Sequence, residues 1–246
     1  MSVKNILCTM LALGLSVSAA YAAPSVNRSG SSVIVKESLT DEGLSQAREI
    51  AGSIKTPEFK LEGVKDADLA KFCQAFPNAS RLSVKGGLTS IAPVAGLKNL
   101  TYFELEANNV TDMSPLAKLT QLTRISLKSE KMGPDLKWMT GLTALREIEI
   151  NAGSALTSFE GFPALKGDPR VALNGASPAD LSPLKSLGSS KLELRYCTIQ
   201  DLSPLASMPN LRELSLYGAT VKDFRACLET HLSIMKRFSS MLAMAI

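Results

Sequence analysis

A single histidine, His231, is the first constraint on what this chain can do. One imidazole cannot build a histidine-rich metal site, and any Ser-His-Asp or Cys-His arrangement would have to use that one residue. Cysteine is scarce too: Cys8, Cys73, Cys197 and Cys227, with no Cys-x-x-Cys among them. A disulfide framework therefore does not hold the chain together. Charge of one sign is also lacking. The 27 basic and 23 acidic residues leave a net charge of +4, and the signs are interspersed, which argues against a nucleic-acid partner. The apolar run at the N-terminus is too short to span a bilayer comfortably.

That run has another explanation. Lys4 gives a positive start, residues 6–17 are apolar, and Ala20-Tyr21-Ala22 or Tyr21-Ala22-Ala23 offers small-residue cleavage ahead of Pro24. Residues 1–23 read as a secretory signal peptide. Cys8 lies inside the apolar run rather than at the cleavage point, so lipidation is not expected. The expected location is the periplasm or the extracellular medium. Cleavage removes Lys4 and no acid, and leaves three cysteines, an odd number that cannot all pair within a monomer.

Residues 24–58 are expected to hold a flexible, Ser-rich lead-in and a helical N-terminal cap. Val33-Ile34-Val35 is a short strand candidate. A helix over 38–54 follows, with Ser38 or Thr40 as its cap and Asp41 and Glu42 in its first turn. From residue 59 to 222 one pattern recurs. Apolar pairs of the form apolar-x-apolar stand at Phe59/Leu61, Leu82/Val84, Phe103/Leu105, Ile125/Leu127, Ile148/Ile150, Val171/Leu173, Leu192/Leu194 and Leu214/Leu216. Their second members are separated by 23, 21, 22, 23, 23, 21 and 22 residues. This is the period of a leucine-rich repeat. A single repeat is too small to bury its own leucines, so neighbours must stack into a solenoid with one continuous core. The fold class expected is α/β: a curved parallel sheet of about eight short strands, with a 3₁₀ or helical convex side and helical caps.

The return segments carry their own signature. Asp112-Met-Ser-Pro115-Leu116, Asp180-Leu-Ser-Pro183-Leu184 and Asp201-Leu-Ser-Pro204-Leu205 repeat, with Ser90-Ile91-Ala92-Pro93-Val94 as a looser copy. Proline suits the first turn of a helix, so tight 3₁₀ turns are expected there. Lys65 to Phe76 instead has the apolar spacing of a true α-helix. The aspartates recur one per repeat without the dense oxygen ligands of a calcium loop, so they are expected to cap the turns. These segments and the 22-residue spacing resemble the bacterial internalin-like class of leucine-rich repeats over about residues 76–222. The resemblance implies a curved solenoid that binds another macromolecule. The consensus asparagine after the strand is present only as Asn108. Two repeats are irregular: Asp168 and Ser189 occupy places where leucine is the rule, which reads as a local bulge or a functional kink. Residues 223–246 have apolar spacing through Leu228, Leu232, Met235, Phe238 and Leu242, and are expected to form a helical C-terminal cap, the alternative being a partner or membrane helix.

Alternation places the polar strand residues on the concave face. The candidate partner-binding residues are Arg81, Tyr102, Glu104, Arg124, Lys128, Glu147, Glu149, Arg170, Lys191, Arg195 and Tyr217. From strand to strand the sign alternates between acidic and basic, which predicts a face that neutralises itself. The competing reading is a polar protein-binding face with Arg and Tyr as anchors. No cofactor, metal, nucleic acid or stable membrane span is expected. The expected function is non-enzymatic protein binding by a monomer, with a structural role in the bacterial envelope as the rival. An enzyme built on Cys227 and His231 is the weakest reading, because both fall in the C-terminal cap.

Overall fold

Ten strands lie side by side in one sheet, in their order along the chain. The computed structural model describes residues 25–223 apart from residue 38. The expectations for residues 1–23 and for the helical C-terminal cap, with Cys227 and His231, lie outside the described residues.

The chain opens with an antiparallel hairpin, β1 (Ser25–Ser29) and β2 (Ser32–Lys36), turned at Gly30, whose φ is +60°. Residues 25–29 are therefore not the flexible lead-in expected of a Ser-rich stretch. Their backbone pairs with β2, while β2 pairs in parallel with β3 (Glu58–Val64) and buries Val33 and Val35. Composition hid a strand whose reason is tertiary: β1 covers what would otherwise be an open sheet edge. Helix α1 (Asp41–Gly52) starts at Thr40, whose hydroxyl accepts the Gly43 N–H. Helix α2 (Asp66–Ala75) is the true helix expected there. Its buried Asp68 accepts the N–H groups of Leu39 at 2.9 Å and Lys65 at 3.1 Å, tying α2 to the segment before α1.

The remaining repeat strands are β4 (Arg81–Gly86), β5 (Tyr102–Glu106), β6 (Arg124–Ser129), β7 (Glu147–Ala152), β8 (Arg170–Asn174), β9 (Lys191–Glu193) and β11 (Glu213–Ser215). From β2 onward all pairing in this sheet is parallel. The register aligns the apolar pairs of every repeat: Phe59 beside Leu82, Leu82 beside Phe103, Phe103 beside Ile125. These residues are buried from Phe59 to Leu194, whereas Leu214 and Leu216 in the last described repeat are only half-buried. The concave row positions follow from this register without exception through β8.

On the convex side, 3₁₀ turns span Ala92–Gly96, Ser114–Lys118, Lys137–Met139, Ser182–Leu184 and Ser203–Ser207. Aspartates cap four of them, and Ser90 caps the first. Asp112 accepts the Ser114 N–H at 2.8 Å, Asp180 the Ser182 N–H at 2.8 Å, and Asp201 the Ser203 N–H at 2.8 Å. A second parallel pair, β10 (Thr198–Asp201) and β12 (Thr220–Asp223), joins the last two repeats on the return side.

The irregular repeats are held by a specific stitch. Asp168, with φ +59°, accepts the N–H and hydroxyl of Ser190 at 2.6 and 2.9 Å. The Ser189 side chain is fully buried and donates to the Pro169 carbonyl at 2.6 Å. Where the other repeats place leucine, these residues instead bond to backbone groups in the turns that lead into β8 and β9. The ladder thins at the same place, with only Val171–Leu192 and Ala172–Glu193 pairing β8 to β9. Asn108 is exposed. The inward tie is made elsewhere by Ser129, whose hydroxyl donates to Val110 at 2.7 Å, and by the Cys197 thiol against the Leu173 carbonyl at 3.2 Å. Cys73 is buried as well, and burial pushes its thiol up to about 12 and that of Cys197 to about 11.

Candidate protein-binding face

Each repeat strand turns three residues outward, so the concave face is three rows running along the solenoid. The first row, at the strand starts, is Glu58, Arg81, Tyr102, Arg124, Glu147, Arg170, Lys191 and Glu213. The middle row is Lys60, Ser83, Glu104, Ser126, Glu149, Ala172, Glu193 and Ser215. The third row begins Lys36, Glu62, Lys85, Glu106, Lys128, Asn151 and Asn174.

The third row is a ladder of opposite charges. Lys36 meets Glu62 at 3.4 Å, and Glu106 sits between Lys85 at 3.0 Å and Lys128 at 2.9 Å. Hydrogen bonds from Lys128 and then Lys85 hold the Glu106 carboxyl below its ordinary range, and Glu106 in turn raises Lys85. The row then changes chemistry. Asn174 donates its side-chain amide to the Asn151 carbonyl oxygen at 3.0 Å.

The first row is built around an aromatic ring. The Arg81 guanidinium lies over Tyr102 at 4.6 Å from the ring centroid, and that of Arg124 at 5.3 Å. The two arginines leave Tyr102 only 8% exposed although it points out of the sheet. Its hydroxyl donates to Glu104 at 2.9 Å, and burial, then this bond, push the phenol up to about 12. Arg124 also pairs with Glu147 at 3.3 Å, and Glu147 reaches Arg170 at 4.0 Å. Cation–π contacts of this kind contribute roughly 0.5–1 kcal/mol where exposed and more when desolvated.

Nine of the sequence-derived candidates lie in these rows, whereas Arg195 and Tyr217 fall in the turns after β9 and β11, and the candidates form separate groups. Arg81, Tyr102, Glu104, Arg124, Glu147 and Arg170 make one connected cluster over β4–β8. Glu149 stands next to it, accepting the Asn151 amide at 3.0 Å. Lys128 belongs to the ion ladder. Lys191 and Arg195 form a separate network with Glu193, at 3.4 and 2.7 Å, and Lys191 also meets Glu213 at 3.0 Å. Tyr217 sits beyond them, 49% exposed.

One residue of this end escapes sequence reasoning. Tyr196 is 62% exposed, and its ring meets that of Tyr217 edge-on at 5.5 Å. Its φ is +57°, and the matching place two residues after the apolar pair holds Gly175 (φ +77°) and Gly218 (φ +67°) in the adjoining repeats. A tyrosine where the neighbouring repeats use glycine is the sequence signal that marks it. Among the described residues no group of three or more His, Cys, Asp or Glu side chains converges as a metal site, and no helix is long and apolar enough to cross a membrane.

Parallel strands every 21–23 residues, stacked in register over one leucine core and returned by Asp-capped Ser-Pro 3₁₀ turns, decide the class. The chain has a leucine-rich-repeat fold. No family model matches the sequence, and no curated protein matches it. Among solved structures the chain is similar to internalin C2 from Listeria monocytogenes, with 20% identity, 82% of this chain and 77% of that one covered, and a TM-score of 0.45. It is also similar to the leucine-rich-repeat ectodomain of the Arabidopsis receptor kinase HAESA in complex with an IDA peptide hormone ligand. There the identity is 17%, the coverage 76% and 29%, and the TM-score 0.43. A leucine-rich-repeat protein of Leptospira interrogans is 15% identical over 75% of this chain and 70% of that one, with a TM-score of 0.24. Among the described residues the leucines pack into the core, apart from the half-buried Leu214 and Leu216, and the three outward rows carry the polar strand residues.

Proposed function

We propose that the chain is an exported, non-enzymatic protein that binds a protein partner on its concave face over β4–β8, in the periplasm or outside the cell. The observation that carries this is the Arg81–Tyr102–Arg124 stack. Arginine and tyrosine are the residues enriched at the energetic centres of protein interfaces. Here a tyrosine is fixed at the centre of an open face, in a rotamer held from both sides and by Glu104. A stack already ordered in this way needs little further ordering when a partner covers its two guanidinium groups, which lowers the entropic cost of association. The export part rests on residues 1–23, whose pattern is that of a cleaved signal.

The test is paired. Affinity capture from envelope and culture-medium fractions, with wild type beside Tyr102→Ala, is expected to recover a protein with wild type and lose it with the variant. Capture unchanged by Tyr102→Ala would remove the concave face from the reading. Detection of the protein only in the cytoplasmic fraction would remove export.

A further inference from the structure

The concave face is not neutral everywhere. Its outer rows pair most of their charges within the chain: Glu62, Glu106, Glu147 and Glu213 each have a cation within 4.0 Å. In the middle row Glu193 is also neutralised, by Lys191 and Arg195. Glu104 and Glu149 differ. Among the described residues neither has a lysine or arginine nitrogen within ion-pair distance. Each is held instead by a neutral donor, the Tyr102 hydroxyl for Glu104 and the Asn151 amide for Glu149. These bonds orient the carboxylates without a direct ion pair; Lys85 feels Glu104 only at longer range, and Glu149 has no lysine or arginine within ion-pair distance among the described residues. The two stand in the same row on β5 and β7, about 9–10 Å apart by strand spacing, with Ser126 between them. Serine there, and Ala172 on the far side of Glu149, keep the sheet surface low on either side of that carboxylate.

We infer that this part of the concave face, between Glu104 and Glu149 over Ser126, takes a lysine or arginine side chain from an extended segment of the protein partner. The inference rests on the protein-binding reading above and names the chemistry of its partner. A neutral or acidic segment laid here would desolvate two carboxylates without a counter-charge, which is costly. A guanidinium or ammonium placed over Ser126 meets acceptors already oriented by Tyr102 and Asn151. The cations without a close carboxylate partner do not fill this role from within. Arg81 is spread over the Tyr102 ring, and Arg170 is held only loosely by Glu147; both belong to the first row.

The experiment selects binders from a random peptide library displayed on phage, using the full-length mature protein as bait and Tyr102→Ala as the counter-selection. Selected peptides are then synthesised with each basic residue as arginine or as its neutral isostere citrulline, and titrated against wild type and the double variant Glu104→Gln/Glu149→Gln. Both substitutions are isosteric at solvent-facing positions, and an unchanged melting temperature verifies the fold. The expected result is a selected set rich in Lys or Arg, whose binding weakens by about tenfold in the double variant. Replacement by citrulline should cost a similar factor, and the two losses should not multiply, because both remove one contact. Peptides that depend on Tyr102 but lack a basic residue, that bind the double variant equally, or that are acidic would overturn this inference and leave the concave-face reading standing. A selection that yields no Tyr102-dependent peptide overturns both.

Discussion

At the scale of single residues, the concave face shows how one side chain can be legible in type and invisible in role. Sign alternation along the repeats identified Glu106 as a strand residue facing basic neighbours. It did not reveal that Glu106 accepts from two lysines at once while Glu104, two residues earlier, accepts from none. Only the lateral reach of each side chain decides that. The Glu106 contacts predict a pH dependence. Its folded carboxyl lies below the ordinary value of 4.5, so its stabilisation is present above that value and is lost as pH falls through the folded one. Glu106→Gln, which leaves Lys85 and Lys128 facing each other, is therefore expected to lower stability at neutral pH. The gap to wild type should close in acid and narrow in high salt, because the group is solvent-exposed. Urea denaturation across pH checks this, and a gap that persists below the carboxylate range would refute it. Tyr196 is the opposite case. Nothing in composition marks it, yet its left-handed backbone in a place where adjoining repeats use glycine makes it conspicuous once the strands are aligned.

Elements in this molecule are short and take their stability from their neighbours. The 3₁₀ turns were legible because Ser-Pro after an aspartate solves a local problem: proline needs no donor in a first turn, and the carboxylate accepts the N–H that follows. The hairpin β1–β2 was half legible. Val33 to Val35 announce β2 by their apolar character, whereas the Ser-rich β1 has only the Gly30 turn to mark it and exists because β2 offers an edge. Close stacking of elements predicts which glycines matter. A Cβ on Gly175 would lie 2.1 Å from the Ala152 carbonyl oxygen, and its φ is +77°. Gly175→Ala is expected to destabilise by more than about 1 kcal/mol. Gly87→Ala, where a Cβ meets nothing within 4 Å, is expected to stay within about 0.5 kcal/mol of wild type. Equal midpoints for the two variants in thermal melts would show that the repeats do not approach as closely as described.

For the whole molecule, nearest-neighbour stacking means that stability is a chain of interfaces rather than one sum. The weakest described link is β8 to β9. Five register pairs join β7 to β8, while two join β8 to β9, beside the turn contacts of Asp168 with Ser190. Hydrogen exchange is expected to release the amides of β9 and β11 before those of β3 to β7. Simultaneous exchange across all strands would instead establish one cooperative unit. The irregularity was legible only as an anomaly, a missing leucine at Asp168 and again at Ser189. Its resolution, a buried hydroxyl on a carbonyl and a carboxylate on the next repeat, requires the two segments to be adjacent.

The sequence by itself determined the solenoid. Apolar pairs every 21–23 residues leave no other way to bury so many leucines, and the same periodicity placed the outward residues on one face. Tertiary structure alone decided which of those outward charges are already answered. Ion pairing depends on side-chain reach between strands, a matter of a few ångströms that one-dimensional spacing does not carry. The ladder through Glu106 closes on itself, whereas Tyr102, held between Arg81 and Arg124, orients Glu104 in a row where Ser126, not a cation, separates it from Glu149.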